Sequence, residues 1–510
     1  MRQTTVLRAL DAWRVRTPDA VALRCRADAL TWSALLRETD RAAARLLAEG
    51  VKPGDRVALL GGMSLDWAVT ALGAIRVGAI LCPLNERYPA SELADVLREL
   101  TPAVLVVGAA HRETAERAAE ASVRLPMESF ADGAPAAFDL PGLAADPSAP
   151  VCVIPTSGST GLPKAVVYTH ESLLGAFFEW TLQAPELMRA TTLNISAMSF
   201  AAGLLNGFLA PLVLGGRVVM MPVWNPDDAL GLIEEHEVTC IAATTIFFEQ
   251  MAALPRFADA DLTSLAVVFT GGNPVTPTLV EAWAKKGVGL RQAYGLTESL
   301  SMVTFPTAEL AMRKPESVGL GGVLTEVRIV DVDGTPCPPG TPGEIWISGP
   351  GVAAGYWRDD ALTEAVFGGG RLRTGDIGVR DEDGTLRIVG RTKDLIKSGG
   401  MTIYAAEIER AVLELPQVLE AAVIGVADPE FGETPALLLT AKGLTVQDVI
   451  EHCKVKLAAY KVPRYVVFRE EPLPRTSSMK IDKRPLRAAG ADIPERHERI
   501  GRTPHPHGQG

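Results

Sequence analysis

A chain of 510 residues, 47% hydrophobic and 22% charged, has the composition of a well-packed globular protein, which excludes a disordered scaffold. Its net charge of -11 is repelled by phosphate backbones and anionic membrane surfaces, so neither nucleic acid nor a membrane is an expected partner. An anionic ligand would therefore need a local site of backbone N–H groups and a few cations.

The start of the chain has no unbroken apolar stretch of the kind that an export signal needs. The longest apolar run, from Ala201 to Gly216, is interrupted by Asn206 and is shorter than the roughly 20 residues of a membrane span. These features predict a cytoplasmic protein without a membrane span. Six cysteines are spread singly, with no C-x-x-C pair, and are predicted to be reduced core residues. They are Cys25, Cys82, Cys152, Cys240, Cys337 and Cys453.

Short apolar runs alternate with helix-length segments along the first half of the chain. This pattern predicts an α/β fold with mostly parallel sheets whose faces are covered by helices. The runs predicted as strands are Val57 to Leu60, Ala103 to Val107, Thr239 to Ala242 and Leu265 to Phe269.

The pattern changes at about Val318. Short alternating runs with Asp-Gly turns predict antiparallel strands and a β-rich subdomain over residues 318–391. These strands are Glu326 to Val330, Gly343 to Ile347 and Leu386 to Val389. A small α+β domain is predicted over 392–495, with a helix from Ala405 to Leu413 and a strand from Ala421 to Val426. Residues 496–510 have no periodic pattern and are predicted to be a disordered tail.

The segment Thr156 to Lys164 offers glycines, hydroxyls and one lysine directly after an apolar strand. Successive backbone N–H groups with hydroxyls and one cation can cradle a polyphosphate. The Walker A pattern fails because Leu162 and Pro163 separate Gly161 from Lys164. A plain glycine- and serine-rich turn is the alternative for this segment alone.

Four further segments occur with it, and together the five resemble the ordered signatures of the adenylate-forming superfamily. That superfamily contains acyl-CoA synthetases, peptide-synthetase adenylation domains and firefly luciferase. The resemblance covers nearly the whole chain and implies a large N-terminal domain, residues 1–391, followed by a small mobile C-terminal domain. The four segments are Ala293 to Glu298, Arg373 to Asp376, Gly390 to Gly400 and Pro474 to Lys483.

The resemblance implies an ATP- and Mg²⁺-dependent acid:CoA ligase that forms an acyl-AMP and transfers the acyl group to coenzyme A. Tyr294 would pack on adenine, and Asp376 and Arg391 would reach the ribose. Thr297 would contact phosphate and Glu298 would hold Mg²⁺. Lys480 would bridge the substrate carboxylate and the α-phosphate. The implied nucleotide-binding set is Thr156, Ser157, Gly158, Ser159, Thr160, Gly161, Lys164, Gly272, Asn273, Tyr294, Gly295, Asp376 and Arg391.

The second half-reaction is implied to follow a rotation of the C-terminal domain about Lys393. The loop of Lys397, Ser398, Gly399 and Gly400 would then line the tunnel for the pantetheine arm. The implied acyl pocket includes Phe200, Ala201, Gly203 and Gly271 and lies near residues 244–248. No residue from Ala197 to Gly203 is acidic, which disfavours an amino-acid substrate. The small residues there and Gly272 are predicted to leave volume for a bulky apolar, aryl or polycyclic acid.

One departure supports an alternative function. Met479 stands where most relatives have glycine before the lysine, and methionine resists the conformations that glycine allows. The alternative is an enzyme that transfers an acyl group from preformed acyl-AMP to CoA. A catalytically silent nucleotide-binding module is a second alternative, and the intact loop, Glu298, Asp376 and Arg391 argue against it. A carrier protein as acceptor and a homodimer are left open.

Overall fold

A computed structural model describes residues 4–118, 123–128, 130, 146–156, 164–272, 275–476 and 480–500. The chain forms two compact units. The first comprises Met1–Gly271, Ala282–Val327 and Trp346–Thr374, and the second comprises Gly272–Glu281, Arg328–Ile345 and Gly375–Gly510.

The described residues contain 23 β-strands. In chain order they are β1 Val21–Cys25, β2 Asp28–Thr31, β3 Arg56–Leu60, β4 Ile80–Leu84, β5 Val104–Val107, β6 Val123–Pro126, β7 Pro150–Thr156, β8 Lys164–Thr169, β9 Thr191–Asn194, β10 Arg217–Met220, β11 Cys240–Thr244, β12 Val267–Gly271, β13 Leu290–Gln292, β14 Glu326–Val330, β15 Gly343–Ser348, β16 Gly355–Tyr356, β17 Leu372–Arg380, β18 Leu386–Arg391, β19 Leu395–Ser398, β20 Met401–Tyr404, β21 Val418–Asp428, β22 Gly432–Ala441 and β23 Tyr465–Phe468.

Sixteen α-helices accompany these strands in the part of the chain that is described. They are α1 Val6–Arg16, α2 Trp32–Ala48, α3 Leu65–Arg76, α4 Ala90–Leu100, α5 Arg112–Ala118, α6 His170–Gln183, α7 Ala210–Val213, α8 Pro226–His236, α9 Thr245–Ala252, α10 Pro277–Ala284, α11 Ala308–Arg313, α12 Asp360–Phe367, α13 Ala405–Leu413, α14 Val446–Lys456, α15 Lys483–Gly490 and α16 Ile493–Arg496. A π-helix, Ala202–Leu209, precedes α7.

The first unit is built on two seven-stranded sheets. One has the order β13-β12-β11-β9-β10-β1-β2 and is parallel except for the β1–β2 pair. The other has the order β16-β8-β7-β4-β3-β5-β6, with antiparallel β16–β8 and β8–β7 pairs. Central strands such as β4 are buried along their whole length, as parallel strands covered on both faces must be.

The second unit is built on antiparallel strands. A four-stranded sheet has the order β14-β15-β17-β18. The C-terminal sheet has the order β20-β19-β22-β21, and β23 pairs in parallel with β22. Helix α13 packs its buried face, which includes Ile408 and Val412, into the core of this sheet.

The predicted fold class is confirmed, and each predicted strand corresponds to an observed one. The helix predicted from Ala405 to Leu413 has these bounds in the structure. The tail prediction is wrong for residues 496–500, because Arg499 forms ion pairs of 3.0 Å with Asp428 and Glu430, and Ile500 packs against the C-terminal core. Residues 501–510 lie outside the described residues.

Two further predictions can be compared with the structure. Five cysteines are buried, as predicted, whereas Cys337 is partly exposed in the connection between β14 and β15. Among the described helices, none is both long enough and apolar enough to cross a lipid bilayer.

Candidate active site

The predicted phosphate loop is closed at its base by an antiparallel strand pair. Thr156 at the end of β7 pairs with Lys164 at the start of β8, and its hydroxyl donates to the Lys164 carbonyl at 3.1 Å. The backbone hydrogen bonds of the two strands therefore fix where the loop begins and ends. The predicted ligands Ser157, Gly158, Ser159, Thr160 and Gly161 lie outside the described residues, as does Asn273.

Glu298 lies in a short turn that is hydrogen-bonded to Tyr168 of β8 and to Ala353. The turn, Thr297–Ser299, follows Tyr294 and Gly295. The Tyr168 hydroxyl donates to the Thr297 carbonyl at 2.7 Å, and the Ala353 amide donates to the Glu298 carbonyl at 2.9 Å. Two predicted catalytic residues are thus fixed through their backbones.

Tyr356 is a residue of this cluster that was not predicted from the sequence. It stands on β16, opposite Val166 of β8, and its hydroxyl donates to Glu298 Oε1 at 2.8 Å. The Nζ atom of Lys164 lies 5.5 Å from the centre of its ring, within the range of a cation–π contact. Burial, and then the Glu298 carboxylate, raise the pKa of Tyr356, so the phenol is a neutral donor. Two adjacent aromatic residues, Tyr356 and Trp357, are all that marks this position in the sequence, and they form no periodic pattern that would indicate a functional role.

The predicted ribose ligands are brought together by antiparallel pairing in the second unit. Asp376 of β17 lies opposite Arg391 of β18, and Arg391 Nε is 2.7 Å from Asp376 Oδ1. Asp376 is only 5% exposed, and a carboxylate buried this far is normally paired. The arginine side chain is about half exposed.

The predicted hinge follows directly after this ion pair. Burial, and then Arg391, lower the pKa of Lys393. The next residue, Asp394, accepts from Arg487 of α15 at 2.5 Å. The short turn that contains Lys393 is therefore held to the helix that follows the Lys480 loop.

Lys480 closes a small loop whose two ends are hydrogen-bonded. The Thr476 amide donates to the Lys480 carbonyl at 2.8 Å, and Arg475 pairs with Ile481 in a β-bridge. Arg475 also forms an ion pair with Glu420 of β21, which anchors the loop to the C-terminal sheet. Met479 lies outside the described residues.

Lys480 approaches Gly272. A Cβ atom added to Gly272 would lie 2.7 Å from Lys480 Cε, and Gly272 has a φ of +86°, which disfavours other residues. The structure therefore brings a predicted catalytic cation to a predicted nucleotide-binding residue. The space that a Cβ atom would fill at Gly272 is occupied by the lysine side chain, and the volume expected there for the acid stays a prediction.

The predicted CoA-tunnel loop is a two-residue β-hairpin turn. Ser398 of β19 pairs with Met401 of β20, and the turn residues Gly399 and Gly400 have φ values of +55° and +80°. A turn with positive φ at both central positions favours glycine, which accounts for both residues without a ligand. Lys397 Nζ donates to Thr402 at 2.7 Å.

Phe431 is a second residue that was not predicted from the sequence. Its ring would be 2.7 Å from a Cβ atom on Gly399, and its carbonyl accepts from the Gly399 amide at 2.9 Å. Phe431 therefore packs directly against the predicted tunnel loop.

The small residues of the predicted acyl pocket are explained by close backbone packing rather than by open volume. A Cβ atom on Gly203 would lie 2.2 Å from the Ala197 carbonyl oxygen, and one on Gly271 would lie 2.9 Å from the Ala293 carbonyl oxygen. Ala201 is buried and Phe200 is half-buried. The prediction that Gly203 leaves room for substrate is wrong for this reason.

Comparison with known proteins gives the class of enzyme that this fold and site define. The AMP-binding enzyme family matches residues 10–357, and the AMP-binding enzyme C-terminal domain matches residues 407–480. The chain belongs to this family. The prediction of an adenylate-forming ligase, made from the five segments, is confirmed.

Individual relatives lie in the CoA-ligase branch. A feruloyl-CoA synthase of Amycolatopsis is 36% identical over 94% of this chain and 98% of its own length. A long-chain-fatty-acid–CoA ligase of Mycobacterium tuberculosis is 32% identical over 90% of this chain and 92% of its own. The structure of the o-succinylbenzoate CoA synthetase of Bacillus subtilis with its acyl-adenylate intermediate has a TM-score of 0.85 and 27% identity, covering 94% of this chain and 97% of that one. These relatives support an acid:CoA ligase that works through acyl-AMP, while their acids differ.

Proposed function

We propose that the protein ligates an aryl or other bulky apolar carboxylic acid to coenzyme A, with ATP as the activating substrate. In the first half-reaction, a carboxylate oxygen attacks the α-phosphorus of ATP and pyrophosphate leaves. In the second, the deprotonated thiol of CoA attacks the acyl carbonyl and AMP leaves with that carboxylate oxygen.

The approach of Lys480 to Gly272 is the observation that carries this proposal. A lysine ammonium group is a localised cation, and the first transition state has its negative charge on the carboxylate and the α-phosphate. Lys480 would stabilise this charge, while Thr297 and the loop from Thr156 to Lys164 hold the phosphates. This placement favours a complete ligase over an enzyme restricted to preformed acyl-AMP.

The nucleoside would be held by Asp376, Arg391 and Tyr294. An ionised carboxylate only accepts hydrogen bonds, which makes it a suitable partner for the two hydroxyls of a ribose. Arg391 forms an ion pair with Asp376 and is itself exposed enough to reach a ligand. Tyr294 would offer its ring to the adenine, beside Gly295.

Glu298 fits a magnesium site. Mg²⁺ prefers oxygen ligands and is usually held by one or two carboxylates together with substrate phosphates. The Tyr356 hydroxyl orients the Glu298 carboxylate through one oxygen. When bound, the ion would neutralise charge on the triphosphate.

The two half-reactions would use different arrangements of the proposed domains, residues 1–391 and 392–495. Lys393 would be the hinge, and the loop from Lys397 to Gly400 would line the pantetheine tunnel. The reduced cysteines agree with a cytoplasmic setting. Free CoA is the proposed acceptor of the acyl group. A carrier protein is the alternative acceptor, and the assays below compare the two.

The experiment is a paired assay over hydrophobic, aryl and polycyclic acids. Pyrophosphate exchange reports acyl-AMP formation, and thioester formation reports the second step, with CoA and a phosphopantetheinyl carrier protein offered separately. We expect exchange to require acid and Mg²⁺, and thioester to form with free CoA. Thioester from acyl-AMP but none from acid and ATP would support the restricted enzyme instead.

A further inference from the structure

A small, mostly apolar cavity lies in the first unit beside strands β11 and β12. It measures about 20 Å³, enough for one group the size of a water molecule. The side chains of Trp180, Asn206, Ala242, Phe269 and Met302 contribute to its lining.

The cavity lies on the same two strands as residues of the predicted acyl pocket. Ala242 pairs with Phe269 across β11 and β12, and two residues further along the same strands Thr244 pairs with Gly271. Alternate residues of a strand face the same side and are about 6.6 Å apart. Asn206 lies on the π-helix Ala202–Leu209, three residues beyond Gly203. A ligand beside Gly271 would therefore point its far end at the cavity.

Asn206 carries an unused hydrogen-bond acceptor in this cavity. It is 8% exposed, and its Nδ2 donates to Ser301 Oγ at 2.9 Å. Its Oδ1 is buried and has no partner among the described residues. A buried acceptor that no protein group satisfies can pair with a donor that enters the cavity, either a water molecule or a group of a ligand.

The other polar groups around the cavity are already engaged. The indole N–H of Trp180 donates to the Met302 carbonyl at 2.6 Å, and Thr192 is hydrogen-bonded to Cys240. Ser301, the partner of Asn206, has a φ of +81° although it is not a glycine. Backbone strain of this kind is retained where the surrounding structure requires it, and it fixes the Ser301 hydroxyl against Asn206.

We propose that Asn206 is a specificity residue that selects acids with a hydroxyl at the end remote from the carboxylate. This inference rests on the proposed function. The hydroxyl would enter the cavity and donate a hydrogen bond to Asn206 Oδ1, while the ring that carries it would lie outside the cavity, beside Gly271. An analogue with a methyl group in its place would leave the amide oxygen buried and unpaired.

The test uses matched pairs of acids on several scaffolds. They are 4-hydroxybenzoate with 4-methylbenzoate, and 4-hydroxycinnamate with 4-methylcinnamate. We expect kcat/KM for thioester formation to be at least about tenfold higher for the hydroxyl acid on the scaffold whose length fits. In Asn206→Leu this ratio should fall to about one or reverse. That variant removes the unpaired acceptor together with the hydrogen bond to Ser301, so its melting temperature is measured beside that of the wild type to show that it folds.

Leu205→Met is the matched control, since it is a volume-conserving change at a buried neighbour of Asn206 that does not contribute to the cavity lining. It should keep the preference for the hydroxyl acid. Equal or better use of the methyl acid by the wild type on every scaffold would overturn the inference, as would an unchanged preference in Asn206→Leu. Absence of thioester from every acid would overturn the proposed function itself, which distinguishes the two failures.

Discussion

The hydroxyl of Tyr356 donates a hydrogen bond of 2.8 Å to Oε1 of Glu298. Tyr356 is buried, and Lys164 lies over its ring at 5.5 Å. One side chain thus contacts both the residue that ends the phosphate loop and the proposed magnesium ligand. Tyr356 is therefore expected to position the two groups that would bind Mg²⁺ and the triphosphate.

Replacing Tyr356 by Phe should weaken the use of MgATP. A hydrogen bond to a charged group contributes about 1.5–3 kcal/mol, so KM for ATP should rise about tenfold or more. The affinity for ATP measured by calorimetry should also lose much of its dependence on Mg²⁺. Tyr168→Phe, which removes a hydrogen bond to a backbone carbonyl instead, should retain that dependence. Identical Mg²⁺ titrations for the wild type and Tyr356→Phe would contradict the positioning role.

Asp376→Asn should weaken nucleotide binding. The change removes the charge opposite Arg391 and an acceptor for the ribose hydroxyls, so the dissociation constant for AMP should rise about 10- to 100-fold. Asp381→Asn is the matched control, since Asp381 forms a comparable ion pair of 2.7 Å with Arg387 in the same sheet. Calorimetry should show a loss of AMP affinity in the first variant alone. Unchanged affinity in Asp376→Asn would remove this residue from the site.

The order of the segments and the periodicity of the strands made most of the fold predictable. The strands β5 and β11 are short apolar runs between helices. Near-continuous apolar runs of this kind are typical of parallel strands that are buried on both faces. That Asp376 and Arg391 belong to one site was also anticipated, because each residue stands in a recognisable segment. The antiparallel register that places them opposite each other was not.

Long-range packing accounts for what the sequence did not reveal. Tyr356 reaches Glu298 only because β16 pairs with β8 at the edge of a sheet whose other strands lie far earlier in the chain. Gly203 suggested open space, but a backbone carbonyl occupies it, and the Lys480 side chain fills the space that a Cβ atom would take at Gly272. A sequence gives the size of a residue and not the identity of its distant neighbours.

Lys480→Ala should separate the two half-reactions. Pyrophosphate exchange should fall at least about 100-fold because the cation at the most anionic transition state is lost. Thioester formation from supplied acyl-AMP should be largely retained. Lys483→Ala, which removes a nearby lysine paired with Glu409, should spare exchange. Equal losses in both steps would argue against this role. A faster pyrophosphate exchange in Met479→Gly would show that the methionine limits acyl-AMP formation in the wild type.

His170 should make the free energy of unfolding depend on pH. It is buried, accepts a hydrogen bond from the Val6 amide at 3.3 Å, and has a pKa lowered by burial to about 4. Because the unfolded histidine has a pKa of about 6.5, the unfolded state takes up a proton first as the pH falls, and stability is lost between about 6.5 and 4. The loss reaches about 3 kcal/mol at most.

Replacing His170 by Asn keeps an acceptor for Val6 and removes the titration. Urea unfolding at pH 7.5 and at pH 4.5 should therefore show a smaller difference in the variant, by about 2 kcal/mol or more. Equal pH dependence of the two proteins would mean that this histidine does not contribute to acid sensitivity.

Isotope transfer tests the central claim, activation of the acid as acyl-AMP, most directly. The acid that gives the highest rate is labelled with ¹⁸O in both carboxylate oxygens and incubated with ATP, Mg²⁺ and CoA. Attack of the carboxylate on the α-phosphorus requires that one labelled oxygen ends in AMP and the other in the thioester carbonyl. Mass spectrometry should find one ¹⁸O in each AMP molecule formed. Unlabelled AMP, or ADP as the nucleotide product, would contradict the mechanism.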